Sequence, residues 1–143
     1  MSFRLIELHR VDDSRDRHMA IVRHGEVQLT VEIVGSFARL QSLGNREFMA
    51  EINVTEVLSV ECNLSKCDQE SGIFADEVGI ILDGTVSEVI AIDDHFSFFD
   101  VYIQKGPEFL TLTTDDLRGV LPILDSRIRV RAGMLQLLFP ASL

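Results

Sequence analysis

The chain has 143 residues, 46% of them apolar and 25% charged, the balance of one globular domain with side chain enough for a core. Disorder and fibrous repeats are excluded. Thirteen Lys and Arg against 23 Asp and Glu give a formal charge of −10 at pH 7, which repels nucleic-acid phosphates and anionic membranes.

The N-terminal stretch MSFRLIELHRVDD lacks a signal-peptide core, and no apolar run approaches the roughly 18–20 residues that span a bilayer. A soluble, cytoplasmic protein is expected. Short β-branched runs separated by turn residues predict strands at 4–11, 18–23, 27–34, 48–54 continuing into 57–61, 78–82, 86–92, 97–104, 109–113, 128–131 and 135–139. Gly25, Asp83-Gly84, Lys105-Gly106-Pro107 and Ala132-Gly133 are predicted to turn the chain between them, Asp83-Gly84 as a type I′ hairpin. Residues 11–17, with alternating charges, suit a loop.

Ser36 is placed to cap a short helix over 37–43 that stops at Gly44. Thr114 before Asp115 and Asp116 is placed to cap a single turn ending at Gly119. Strand order from residue 86 onward resembles the five-stranded plan of the OB fold. The expected fold is therefore all-β with one or two short helices. It is a single domain over 1–143, with an OB-like β-barrel core at 78–143 extended by N-terminal β-hairpins. Residues 53–65 (NVTEVLSVECNLS) and 85–97 (TVSEVIAIDDHFS) are alike, through a duplicated β-unit or through the shared composition of strands. In both, one glutamate interrupts an apolar face, and a β-bulge turning Glu56 and Glu88 outward is favoured over a carboxylate pair.

Charge is laid out unevenly. Residues 1–46 hold seven Arg against six acids, residues 47–125 three cations against 17 acids, and residues 126–143 three Arg without an acid. Strand geometry puts Arg127, Arg129 and Arg131 on one face, a row of guanidinium forks able to clamp an anion or to pair with the acidic middle segment. Pairing is favoured, because carboxylates outnumber the cations. Phe98 and Tyr102 share a strand face that would stack unpaired bases if exposed, although burial by protein is expected. Asp93, Asp94, His95 and Asp115 lie in predicted turns and are weak candidates for a Mg²⁺ or Mn²⁺ site; acidic turns ordinarily serve solvation and capping. His9, His18 and His24 have no spacing that marks ligands. Cys62 and Cys67 have acids nearby that disfavour a thiolate, and no zinc-type Cys/His spacing or phosphate-cradling glycine loop is present.

No cofactor is expected. The leading expectation is a non-catalytic binding module with an acidic surface and a protein partner of basic surface, with self-association along an open strand edge. An OB-type binder of single-stranded nucleic acid or another anion through Arg127, Arg129, Arg131, Phe98 and Tyr102 is the second expectation. A metal-dependent enzyme is the third.

Overall fold

Alternation of apolar and polar residues organises the chain into strands almost throughout. The computed structural model describes residues 1–11, 16–64, 72–102 and 109–139, excepting the side chains of 63, 64, 102, 109 and 110. Ten strands and one short helix are found among them, so the fold is nearly all β. The chain divides into two compact units, one of residues 1–53 with 134–143 and the other of residues 54–133.

In the first unit, β1 (Ser2–Arg10), β2 (Arg17–His24) and β3 (Val27–Val34) form an antiparallel meander, the two N-terminal hairpins read from the sequence. Gly25 makes the β2–β3 turn at φ 60°, a left-handed backbone that glycine adopts without steric cost. β4 (Glu47–Met49) pairs antiparallel with β1, and Gln136–Leu138 of β10 (Arg127–Leu138) pair parallel with β3. Helix α1 (Phe37–Gln41) starts where expected, with the Ser36 hydroxyl accepting from the Arg39 amide, and Gly44 follows at φ 58°. Phe3, Val22, Val31, Ile33, Leu40, Leu135 and Leu137 are fully buried.

Two histidines belong to this core. His24 donates from Nδ1 to the Ser2 carbonyl at 2.9 Å. His18 is completely buried and tilted against the Phe37 ring at 5.1 Å, and neither of its ring nitrogens has a hydrogen-bond partner among the described residues. His9 is on the surface beside Glu7, so the three histidines do not converge.

The second unit is built on β7 (Ile80–Ala91), β8 (Ser97–Tyr102) and β9 (Phe109–Thr113), another antiparallel meander. β6 (Gly72–Ala75) and the first half of β10 pair with the first half of β7, and β5 (Glu51–Leu64) pairs with β10. Phe99, Val101, Leu112, Leu117, Ile128 and Val130 are buried. The one-turn segment after β9 is capped by Thr113 rather than Thr114. The Thr113 hydroxyl accepts from the Asp116 amide, and the Asp116 carboxylate accepts from the Thr113 amide at 2.8 Å. Thr114 instead exchanges hydrogen bonds with Ser97 at the start of β8.

Two predicted turns are strand interiors. Asp83-Gly84 lies within β7, with Asp83 opposite Arg129 on one side and Gly72 on the other, so both of its backbone edges are held by ladders. Ala132-Gly133 lies within β10, which merges the strands predicted at 128–131 and 135–139. The six strands expected within 78–143, five of them assigned to the OB-like core, are therefore four among the described residues, and the pairing among these residues does not close into a barrel. β6 was not anticipated, and Lys105-Gly106-Pro107 lies outside the described residues. The bulge expected at Glu88 occurs, with the β7–β8 register shifting between Val86 and Glu88; Glu56 has a left-handed φ of 54° within β5, and both glutamates are exposed.

Candidate functional site

Period-two geometry places Arg127, Arg129 and Arg131 on one face of β10, as expected, and antiparallel register then sets Asp83 of β7 directly opposite Arg129. Asp83 is 1% exposed. Arg127 donates from Nε to Asp83 Oδ1 at 2.5 Å, and Arg129 donates from Nε and Nη2 to Oδ2 at 3.0 and 2.9 Å. One buried carboxylate thus accepts from two guanidiniums, the charge-assisted pairing that a buried anion requires.

The third arginine has its own partner. Arg131 donates from Nη1 to Asp76 in the β6–β7 turn, where Asp76 Oδ1 also accepts from the amides of Val78 and Gly79. The Arg131 hydrogen bond, then the Val78 amide, hold the Asp76 carboxyl below its usual range. Because the folded-state value is the lower one, the pair contributes fully above the unfolded carboxyl value near 4. That contribution is lost as pH falls through the folded value. Asp76→Asn is therefore expected to lower the urea midpoint at neutral pH, and the gap to the parent should narrow as pH falls from the unfolded carboxyl value through the lower folded one. Urea titrations at neutral and acidic pH check this.

Arg118, the remaining described cation of this unit, donates to the carbonyls of Val57 and Leu58 at 3.4 Å. Among the described residues of the unit, every cation is thus engaged by a carboxylate or a main-chain carbonyl. Over its whole length, 54–133 carries fifteen acids against six Lys and Arg. Glu56, Glu77, Glu88, Asp93, Asp94 and Asp115 are exposed.

Phe98 is half-buried and meets Phe96 edge to face at 5.2 Å, while the Tyr102 side chain lies outside the described residues. Phe98 stands opposite Ile90, and Asp100 stands opposite Glu88, so this face of β7 and β8 mixes apolar and acidic side chains. Ile90 is 42% and Ile92 59% exposed; Leu121 and Ile123, before the start of β10, are 67% and 63% exposed. Sequence reasoning did not single these residues out as exposed: Ile90 is on a strand face that reads the same whether covered or open, and Ile92, Leu121 and Ile123 lie outside the strands, where burial has no period to read. It also missed Asp83, whose partners are more than forty residues away.

The acidic turns sit at one end of the β8–β9 hairpin. Asp93 Oδ1 accepts from the amides of His95 and Phe96 at 2.7 and 2.8 Å, an Asx turn. Asp94, His95 and Asp115 are exposed, and among the described residues no three His, Cys, Asp or Glu side chains are grouped to hold a metal ion. Burial pushes the Cys62 thiol up, so desolvation, rather than the neighbouring acids, disfavours its thiolate. Cys67 lies outside the described residues.

No protein-family model matches the chain, and no curated protein matches it in sequence. No helix among the described residues is long and apolar enough to cross a membrane.

Proposed function

We propose that the chain is a non-catalytic binding module whose 54–133 unit engages a cytoplasmic protein partner of basic and apolar surface. One observation carries this. Among the described residues, the arginines of β10 are taken up by Asp83 and Asp76, while Glu56, Glu77, Glu88, Asp93, Asp94 and Asp115 stay exposed. Interleaved apolar residues such as Ile90 and Ile92 supply area that would gain from being covered, and the carboxylates supply sign selectivity and a faster encounter. The OB-like barrel expected from strand order is not required for this function. Self-association along the outer edge of β9 is a second use of the same unit.

Titration of the full chain with an alternating lysine–leucine peptide, an oligolysine and an oligothymidylate tests the proposal. The lysine–leucine peptide should bind most tightly, weakening as salt rises, and the oligothymidylate should not be retained. Ile90→Asp adds a carboxylate while removing apolar surface. Weaker binding of the lysine–leucine peptide by this variant supports the combined surface. Retention of oligothymidylate with a steep salt dependence, and of neither peptide, would overturn it in favour of an anion-binding role for Arg127, Arg129 and Arg131.

A further inference from the structure

Between the one-turn segment after β9 and the start of β10, Val120, Leu121, Ile123 and Leu124 are 37%, 67%, 63% and 52% exposed, while Pro122 among them is buried. Soluble chains avoid such exposed apolar runs unless they are used. The loop is fastened at both ends. At its start Leu117 is fully buried and its carbonyl accepts from the Val120 amide at 3.0 Å; at its end the Asp125 amide donates to the Val86 carbonyl of β7 at 2.8 Å, and the Ser126 amide to the Ile123 carbonyl at 3.0 Å. Arg118 at φ 53° and Asp125 at φ 66° hold left-handed backbone that is unfavourable for any residue with a Cβ, a kind of strain that gathers at ligand clamps. The flanking charge has one sign. Asp115 and Asp125 are exposed, whereas the two cations that bracket the loop in sequence, Arg118 and Arg127, are engaged by the Val57 and Leu58 carbonyls and by Asp83.

We propose, resting on the partner-binding reading of the 54–133 unit, that the 120–124 loop is its anchor for a basic amphipathic segment of a partner protein. The apolar side of that segment closes over Leu121 and Leu124, and its Lys or Arg side chains meet Asp115 and Asp125. Charge selects this occupant over the others. Two copies joined loop to loop would bring together units that each carry fifteen acids against six Lys and Arg. An anionic bilayer meets the same repulsion, and a neutral one offers nothing to the two carboxylates. A segment with both apolar and cationic side chains answers both features of the loop. Because the backbone is already held at each end, little of its freedom remains to be lost on binding.

The experiment follows backbone amide shifts of the ¹⁵N-labelled full chain during titration with an alternating lysine–leucine peptide. Shifts should centre on 118–125, and the double variant Leu121→Ser, Leu124→Ser should bind the peptide about tenfold more weakly. Both positions are more than half exposed, so the variant should melt within a few degrees of the parent. Asp125→Asn removes the charge while keeping a residue that tolerates left-handed backbone, and it should weaken the peptide severalfold at low salt and much less at high salt. Parental affinity in the double variant, with shifts around Ile90 and Phe98, would overturn the anchor and leave the binding-module reading standing. A parent chain that does not bind the peptide would overturn both. Cosedimentation with phosphatidylcholine vesicles, lost in the double variant, would assign the loop to a bilayer instead.

Discussion

Asp83→Ala is expected to destabilise the protein by about 3–5 kcal/mol, because it removes the buried carboxylate that Arg127, whose side chain is only 11% exposed, shares with Arg129. Thermal unfolding should fall by roughly 10–20 °C at the few degrees per kcal/mol that suit a chain of this size. Arg129 is 30% exposed and can turn toward water, so Arg129→Ala should cost less than Arg127→Ala. Asp83→Leu combined with Arg127→Met and Arg129→Met should recover much of the loss, since apolar side chains of similar volume remove the desolvation penalty together with the attraction. Chemical denaturation of the single and triple variants checks the ordering. A triple variant no more stable than Asp83→Ala would mean that the arginines are held chiefly by their other contacts.

Gly79→Ala is expected to be the second severe change. A methyl group there would drive into the carbonyl oxygen of Ala132, a backbone atom on β10 that cannot rotate away. Overpacking of this kind costs about 1–3 kcal/mol and often more when main chain must move. Gly133→Ala provides the contrast, since its nearest neighbour is Glu56 Oε2, the far end of a flexible exposed side chain. Far-ultraviolet circular dichroism melts of the two variants should separate them clearly, with Gly133→Ala the milder. Equal losses would show that the β10 backbone yields at both places.

Much of the architecture was legible where local chemistry decides it. β3 and β9 have the bounds that alternation predicted, and Ser36, Gly25 and Gly44 perform the capping and turning roles their chemistry favours. The common face of Arg127, Arg129 and Arg131 followed from the pleat alone. What the pleat does not contain is register, so the identity of their partners, Asp83 and Asp76, was hidden. The same gap explains the misplaced hairpin. An Asp-Gly pair is an excellent turn in isolation, but Asp83 is opposed by β6 and β10, and Gly84 by Ile128 of β10. Ala132-Gly133 fails as a turn for a related reason: Gly133 leaves room for Glu56, whose φ of 54° brings it against β10.

The parallel pairing of β3 with Gln136–Leu138 carries a consequence for biosynthesis. The partner of Ile33 is Leu137, roughly 100 residues further along the nascent chain, which at about 5–20 residues per second is some 5–20 s of translation. Throughout that interval one edge of β3 waits on the ribosome without its neighbour, offering the backbone N–H and C=O groups around Glu32, Ile33 and Val34 to any holdase or to another unfinished copy.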